Sequence, residues 1–494
     1  MNPVMYITFG AYLLGMIIVG AIFCKKSKTV DDYLIGGRGL GSWVTALSAQ
    51  ASDMSGWLLM GLPGAIYIAG AGDVWVAIGL LLGTLLNWLF IAPRLRIYTE
   101  KCNALTLSSF FENRFRDPSN MLRVVSAVVT LLFFTIYAAS GLVATGKLFD
   151  SMFGMKYEYA VLLGTVVVLL YTALGGYLAV CWTDLFQGAL MFFALLVVPV
   201  LAYYNLPDNV DAAKMTLNLF PDGFGVMAFV SIISCAVWGL GYCGQPHILV
   251  RFMSIKSVKL LPRTITIAMI WVTISLFAAV AVGLIARGLF IDLPKGENEK
   301  VFIMMINKYC WSGFAGLFLA AILAAIMSTI DSQLLVSSST LTSDFYQRVF
   351  RRNASAKELV HISRGFVILI TAIACLLALF PFESIFNIVK FAWGGFGAAF
   401  GPVVIMALYS RRTTWQSALC GMLIGTVVMI VWYLLGWNKY MYEILPGFVA
   451  NWVVIVILNR VFIQKDETIL KEFDEMKAEL NCSENVVKNK EYEL

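Results

Sequence analysis

The sequence predicts an all-α membrane protein, and composition and segment length both support that class. Of its 494 residues, 60% are hydrophobic and 13% are charged, and the mean hydropathy is +0.81. Soluble domains average roughly 45–50% apolar and about 25% charged residues, so this chain needs lipid as its solvent. Its apolar stretches repeatedly reach the roughly 20 residues with which a helix crosses a bilayer, which predicts about 13 transmembrane helices.

The expected spans follow one another along the chain and end in a short charged, helix-prone tail. Their bounds are 4–24, 42–69, 74–93, 124–146, 158–177, 182–204, 224–244, 264–286, 313–342, 365–380, 385–408, 416–436 and 442–462. The first span is expected to be retained, because Lys25, Lys26 and Lys28 follow its apolar core. A secretory signal carries its positive charge before that core.

The distribution of Lys and Arg predicts the orientation of the chain in the membrane. Every second connection, starting with 25–41, is basic except the short 177–182, and these connections and the tail together hold 27 of the 36 Lys and Arg. Basic residues are in excess on cytoplasmic loops. The N-terminus is therefore expected outside the cell membrane and the C-terminus in the cytoplasm, and the net charge of +6 reflects this topology.

The sequence disfavours several other classes of membrane protein. It has no GxxxxGK[ST] phosphate-binding motif, which argues against an ATP-driven pump. The two His, His247 and His361, are too few for multi-haem ligation, which argues against a membrane redox enzyme, and both are expected to be solvated near helix ends. The nine Cys form no CxxC pair, so no metal or disulfide framework is expected. A transporter is expected, not an enzyme.

The run from Ser48 to Trp57 interrupts the second span with polar residues. An aspartate at bilayer depth costs at least about 2.5–3.5 kcal/mol, so Asp53 is expected to face a polar interior and to serve function. Ser52, Ser55 and Gly56 hold a continuous helix poorly. We therefore predict a broken helix, whose free carbonyls can bind a cation and whose second half can receive a carboxylate at its N-terminus. The alternative is a polar cluster that only joins helices.

Two further stretches contain polar or helix-breaking residues within predicted spans. The segment from Trp238 to Pro246 holds three Gly and a Pro, which predicts unwinding or a tight packing face. It lies five spans after the first break, as in transporters built from two inverted five-helix repeats. On the ninth span, Ala325, Ser328 and Thr329 fall on one helical face and offer oxygen ligands suited to sodium. Such hydroxyls also often only join helices.

Several motifs together resemble one known family. They are Asp31 to Arg38, Ala51 to Gly64, Phe133 to Tyr137, Trp182 to Asp184, Gly241 to His247 and Gly394 to Pro402. Across roughly residues 25–460 the chain is similar to the sodium/solute symporter family, and most closely to its sodium/proline symporter branch. The resemblance implies a LeuT-type fold with a broken helix in each repeat, sodium as the co-transported ion and L-proline as the cargo.

The resemblance also implies roles for individual residues. The sodium ion would be held by the carbonyls of Ala51, Met54 and Ala325 and the hydroxyls of Ser328 and Thr329, with Asp53 keeping this region in order. The substrate would be surrounded by Ser55, Gly56, Trp57, Tyr137, Trp238 and Tyr242. Arg38 would belong to the cytoplasmic side of the pathway.

Asp331 departs from the branch, which tends to have a small neutral residue at this position. One expectation is a second cation site formed by Asp184, Asp331 and Ser332. The alternative is that Asp331 is solvated in the inner vestibule.

The cargo also has alternatives, namely another small amino acid or a monocarboxylate. A transporter-like solute sensor is a further class, although the short tail offers no signalling domain.

The expected organisation has four parts. They are a first helix with its cytoplasmic loop (1–41), a ten-helix transport core (42–408), two C-terminal transmembrane helices (409–462) and a cytoplasmic tail (463–494).

Overall fold

The computed structural model describes residues 3–24, 35–172, 176–208, 210–215, 217–220, 225–294, 296–351, 353–380 and 383–491. The regular structure in these ranges is helical, apart from an isolated bridge between Leu40 and Ile255. The α-helices are α1 (Pro3–Cys24), α2 (Ser42–Asp53), α3 (Leu62–Ala69), α4 (Val74–Leu86), α5 (Ala92–Lys101), α6 (Leu107–Phe115), α7 (Met121–Phe153), α8 (Tyr157–Thr172), α9 (Tyr177–Tyr204), α10 (Val226–Ala236), α11 (Pro246–Ser254), α12 (Leu261–Leu289), α13 (Val301–Tyr309), α14 (Ser312–Ser339), α15 (Ala356–Leu379), α16 (Ile385–Tyr409), α17 (Trp415–Leu434), α18 (Ile444–Val461) and α19 (Glu467–Glu491). Most of the expected loop 25–41, including the first half of the Asp31–Arg38 motif, lies outside the described residues.

The helices confirm the membrane class. Within the described ranges, ten helical runs are long and apolar enough to cross a bilayer, and Pro3–Val19 and Tyr157–Leu170 are shorter apolar helices. The longest run, Trp57–Lys101, turns at Gly70, where a φ of +75° favours glycine. The number of thirteen spans and the four-part organisation stay predictions.

Three short helices were not expected from the sequence. Helices α6, α11 and α13 each have nine residues and lie in segments that the sequence predicts to be connections between spans. Nine residues are too few to produce the apolar signal of a membrane span. The consequence is largest for α11, because every one of its residues is buried.

The predicted break in the second span is present after Asp53. Met54 leaves the helix with φ −85° and ψ 76°, and the Ser55 amide donates to the Asp53 carbonyl at 3.1 Å. The chain is helical again from Gly56, which has φ −51° and ψ −21°. A Cβ on Gly56 would lie 3.0 Å from side-chain atoms of Ala144 on α7 and Ile326 on α14. The break therefore sits at a close approach of three helices.

The second glycine-rich stretch is both interrupted and tightly packed. It forms a 3₁₀ segment, Val237–Gly244, followed by an extended Gln245 with φ −82° and ψ 106°. Helix α11 then begins at Pro246, a position where a proline costs no hydrogen bond. A Cβ on Gly244 would stand 2.3 Å from the Phe396 carbonyl oxygen of α16. The stretch is therefore both unwound and a tight packing face, so both interpretations of it apply.

Helices α14 and α16 form the interior around which the others pack. Each has 83% of its most apolar stretch buried, more than any other span among the described residues. Helix α14 is surrounded by α1, α2, α7 and α9, and α16 is surrounded by α7, α17, α18 and the 3₁₀ segment. Both interrupted elements therefore lie against an enclosed helix.

The C-terminal tail is helical, as its composition predicted. Helix α19 packs against α5 and buries Phe473 and Met476. Its acidic residues bind basic groups on the adjoining connections, with Glu472 2.7 Å from Arg116 and Asp474 2.8 Å from Arg411. The tail is therefore docked on α5 and the adjoining connections.

Pro402 inside α16 leaves a backbone carbonyl that another helix satisfies. A proline has no amide hydrogen for the carbonyl four residues earlier, which here is Ala398. The buried side chain of Asn451 on α18 donates to the carbonyls of Ala398 at 2.8 Å and Ala399 at 2.9 Å. In lipid, carbonyls freed by a proline need such partners within the protein.

We expect Asn451→Leu to lower the stability of the purified protein by about 1–3 kcal/mol, because it leaves a buried carbonyl without a partner. The measurement is thermal unfolding in detergent. In a Pro402→Ala background the loss should be smaller, since the new amide can bond the Ala398 carbonyl. Equal losses in both backgrounds would contradict this account.

Candidate functional site

Four of the five groups predicted to ligate sodium lie together where α2 meets α14. The Ser328 hydroxyl donates to the carbonyls of Ala51 at 2.7 Å and Ala325 at 3.1 Å. The Thr329 hydroxyl donates to the same two carbonyls at 3.3 and 3.2 Å. The fifth residue, Met54, is buried at the end of α2. Oxygen atoms of this kind are the ligands that hard cations prefer.

The break in α2 explains why the Ala51 carbonyl is available. In a continuous helix the amide of Ser55 would donate to it. That amide donates instead to the Asp53 carbonyl, and the hydroxyls of α14 approach Ala51. The interruption thus converts a backbone hydrogen-bonding group into a candidate cation ligand.

Asp53 connects the two interrupted elements. Its Oδ2 accepts a hydrogen bond of 2.6 Å from the hydroxyl of Tyr242, in the second interruption. Its carbonyl accepts from the Trp57 indole at 3.0 Å and the Tyr137 hydroxyl at 3.4 Å. Among the described residues, Oδ1 has no hydrogen-bond partner. Asp53 therefore lies at the centre of the site, close to three residues expected around the substrate.

The remaining residues expected around the substrate are also brought together. The rings of Trp57 and Trp238 lie 6.2 Å apart between centroids, and both side chains are almost completely buried. Ser55 accepts a weak hydrogen bond of 3.4 Å from the Trp57 amide, and Gly56 lies between them in the chain. Together these groups form an aromatic cluster beside the start of the second half-helix.

Three further aromatic residues belong to this aromatic cluster and are not predicted by the sequence. Trp238 lies 5.1 Å from Phe386 and 5.4 Å from Tyr442, and the Trp393 indole donates to the Trp238 carbonyl at 2.8 Å. Trp393 directly precedes the Gly394–Pro402 motif, which was a usable signal. Phe386 and Tyr442 lie in apolar stretches where nothing in the sequence distinguishes them.

The predicted second cation region contains a residue that the sequence did not place there. Arg251 on α11 donates through Nη2 to Asp184 at 3.2 Å and to Ser332 at 2.6 Å. Asp331 is fully buried, and neither carboxylate oxygen has a hydrogen-bond partner among the described residues. The expectation of a solvated Asp331 is therefore wrong, because α14 is enclosed at this level.

His247 also differs from the expectation of a solvated side chain. It is buried on α11, with its ring edge-on to Phe134 at 5.3 Å and Tyr137 at 6.2 Å. The cause is that the presumed loop is a helix that enters the core. The same cause buries Arg251, although it lies between the predicted spans 224–244 and 264–286.

Arg38 binds backbone carbonyls near the ends of α5 and α11. Its guanidinium donates to the carbonyls of Thr99 at 3.0 Å, Ala104 at 2.8 Å and Met253 at 2.8 Å. It thereby ties together α5, the turn that follows it and the end of α11. The loop is fixed further by the Leu40 amide, which donates to the Ser254 carbonyl at 3.1 Å.

A family model for the sodium:solute symporters matches residues 33–425. The chain belongs to the sodium:solute symporter family. It is 46% identical over 484 residues to a sodium/proline symporter of Escherichia coli (strain K12), covering 96% of each protein. It is 44% identical over 470 residues to a high-affinity proline transporter of Bacillus subtilis (strain 168), covering 93% of this chain and 98% of that protein.

Solved structures show the fold of this symporter. A sodium-coupled sialic acid symporter matches with a TM-score of 0.78 at 21% identity, covering 93% of this chain and 98% of that one. The transporter MhsT in complex with L-phenylalanine matches with a TM-score of 0.56 at 15% identity, covering 84% and 97%. The predicted LeuT-type inverted-repeat fold is confirmed.

We expect Tyr242→Phe to weaken sodium binding roughly 10- to 100-fold, because Asp53 loses a hydrogen bond to a charged group worth about 1.5–3 kcal/mol. The measurement is the sodium concentration that gives half of the sodium-dependent rise in melting temperature, at constant ionic strength. Tyr67→Phe is the matched control, since its hydroxyl donates at 2.7 Å to the carbonyl of Phe290, outside the site. An unchanged sodium concentration in Tyr242→Phe would refute the role of this contact.

Proposed function

We propose that this protein is a sodium-coupled symporter that imports L-proline by alternating access, driven by the sodium gradient. The observation that carries the proposal is the convergence of the Ala51 and Ala325 carbonyls with the hydroxyls of Ser328 and Thr329, beside the Asp53–Tyr242 contact. The substrate is supported by relatives named as sodium/proline symporters, 44–47% identical over more than nine tenths of this chain.

In this proposal, sodium is held by the carbonyls of Ala51, Met54 and Ala325 and the hydroxyls of Ser328 and Thr329. The ligands come from both sides of the α2–α14 interface, so a bound ion joins two helices that lie in different repeats. Asp53 acts indirectly, by fixing the backbone after Ala51 through its contacts with the second interruption. Sodium binding and closure of the site are thereby coupled.

Proline binds next to the ion as a zwitterion. Its carboxylate lies at the start of the half-helix that resumes at Gly56, where the helix dipole favours an anion. Its ring and secondary ammonium lie against the faces of Trp57, Trp238 and Tyr242, since a cation is attracted to an aromatic face. Ser55 and Tyr137 line the remaining sides.

The orientation follows the distribution of basic residues. The protein is proposed to lie in the plasma membrane with the N-terminus outside and the C-terminus in the cytoplasm. Arg38 then closes the cytoplasmic end of the pathway by holding α5 and α11 together. The protein moves its cargo without converting it chemically, so it is proposed not to be an enzyme.

The test of the function is uptake of radiolabelled proline into proteoliposomes. We expect rapid accumulation with an inward sodium gradient, and little uptake when potassium replaces sodium on both sides. Unlabelled proline should compete strongly, whereas other small amino acids and monocarboxylates should compete weakly. Sodium-driven uptake blocked better by one of those competitors would reassign the cargo, and sodium-independent proline uptake would refute the symport.

We expect the double substitution Ser328→Ala and Thr329→Ala to raise the sodium concentration needed for half-maximal uptake by tenfold or more, on the order of one lost ligand interaction. Because coupling between two ligands is reciprocal in free energy, the apparent affinity for proline at fixed sodium should fall as well. Ser337→Ala on the same helix is the matched control. If both parameters of the double variant equal those of the wild type, the proposed sodium site is wrong.

A further inference from the structure

Asn87 is a buried polar residue at the end of α4, in an apolar part of the chain. Thr84 and Asn87 are the polar exceptions in the expected span 74–93. Only 1% of the surface of Asn87 is exposed, so it faces protein and not lipid. Polar side chains in such spans usually form hydrogen bonds to another helix. The partner of Asn87 therefore indicates what this residue does.

The partner of Asn87 is the backbone of the second interruption. Its Nδ2 donates to the Tyr242 carbonyl at 3.1 Å, within the 3₁₀ segment. In an α-helix that carbonyl would accept from the residue four positions on, but this residue is Pro246, which has no amide hydrogen. The amide of Gln245 lies 3.5 Å from it, beyond the usual range of about 2.7–3.2 Å. Asn87 therefore supplies the donor that the interrupted backbone lacks.

Helix α4 also lies in direct backbone contact with the second interruption. A Cβ on Gly79 would stand 2.2 Å from the Ala236 carbonyl oxygen, and a Cβ on Gly83 would stand 2.4 Å from backbone atoms of Gly239. At the next turn the helix widens into a π-type turn, Asn87–Ile91, a feature that is frequent at functional sites. The position of the 3₁₀ segment is therefore set by α4.

The tyrosine whose carbonyl Asn87 binds also holds the carboxylate at the first interruption. The Tyr242 hydroxyl donates to Asp53 Oδ2 at 2.6 Å, and Asp53 ends the helix that presents the Ala51 carbonyl. Asn87 and Asp53 thus bind the backbone and the side chain of one residue. A shift of the Tyr242 backbone moves its hydroxyl away from Asp53, and hydrogen bonds weaken steeply when their geometry is lost.

We propose that Asn87 is a positioning residue of the sodium site, which sets the Tyr242 hydroxyl against Asp53 by holding the backbone of the second interruption. The inference rests on the proposed function, because the sodium site is part of that proposal. Asn87 acts through Tyr242, so its effect on sodium binding requires the tyrosine hydroxyl. This requirement distinguishes a positioning residue from one that only stabilises the fold.

The first experiment measures sodium binding to the purified protein, which requires neither proline nor transport. Asn87→Leu removes the donor and keeps a side chain of similar size. We expect it to raise, by about three- to tenfold, the sodium concentration that gives half of the sodium-dependent rise in melting temperature at constant ionic strength. This is the size expected for the loss of one neutral hydrogen bond. Wild-type sodium dependence in the folded variant would overturn the proposal.

A second substitution covers the case in which Asn87→Leu does not fold. Asn87→Ser keeps a polar group at this position, but its hydroxyl is too short to reach the Tyr242 carbonyl. The same rise in the sodium concentration is therefore expected, and unchanged sodium dependence in Asn87→Ser would count equally against the proposal.

The chain offers a matched control for the loss of a buried amide. Asn451 donates at 2.8 Å to the Ala398 carbonyl, which Pro402 deprives of its helical partner, so it does the same task at another proline. Asn451→Leu should lower the melting temperature without sodium and leave the half-maximal sodium concentration within twofold of the wild type. An equal rise in that concentration in Asn451→Leu and Asn87→Leu would refute a specific role for Asn87.

The second experiment combines Asn87→Leu with Tyr242→Phe, which lacks the hydroxyl that Asn87 is proposed to position. Adding Asn87→Leu to Tyr242→Phe should change the half-maximal sodium concentration by less than twofold. Residues that act independently would instead multiply their separate effects. A double variant that shows the product of the two single effects would contradict the proposal.

The same melting assay separates the role of Asn87 from the sodium site on which it rests. The double substitution Ser328→Ala and Thr329→Ala is expected to raise the half-maximal sodium concentration, because it removes two proposed ligands. If it does so and Asn87→Leu does not, only the role of Asn87 is wrong. If neither variant changes the sodium dependence, the proposed sodium site and the role of Asn87 are both wrong.

Discussion

An interrupted helix at bilayer depth leaves backbone groups that only the protein or its cargo can satisfy. This constraint organises the site. The break after Asp53 diverts the Ser55 amide from Ala51, and the hydroxyls of Ser328 and Thr329 take its place. The carbonyl of Asp53 is in turn satisfied by Trp57 and Tyr137. The candidate ligands for sodium and for the substrate are therefore the partners recruited by one broken helix.

Each buried aspartate in this interior is accommodated in a different way. Asp53 accepts a hydrogen bond from a tyrosine of the second interruption, whereas Asp184 is paired with a guanidinium and two serine hydroxyls. Asp331 forms no ion pair at hydrogen-bond distance among the described residues, but its carboxylate interacts electrostatically with Asp184 and Arg251. Buried charges are tolerated when they are paired or bind cations, so these three aspartates, on α2, α9 and α14, are candidate contacts for a cation.

The second interrupted helix contributes residues to three regions of the site. Its 3₁₀ segment carries Trp238 and Tyr242 to the aromatic cluster, and α11 carries Arg251 to Asp184 and Ser332. The last turn of α11 offers the Met253 carbonyl to Arg38. A movement of this helix relative to α14 would therefore change three sets of contacts at once. They are the contacts of Trp238 and Tyr242, those of Arg251 and those of Arg38.

The sequence by itself determined the membrane class, most span positions and both interruptions, because apolar length and runs of Gly, Ser and Pro act locally. The match of Ser328 and Thr329 to one helical face was local as well. Only the tertiary structure decided that Arg251 and His247 are buried. A nine-residue helix is too short to be recognised as a span, and the sequence does not distinguish a charged residue in a loop from a buried one. The tertiary structure alone placed Phe386, Trp393 and Tyr442 around Trp238, because contacts between residues far apart in the chain depend on how the helices pack.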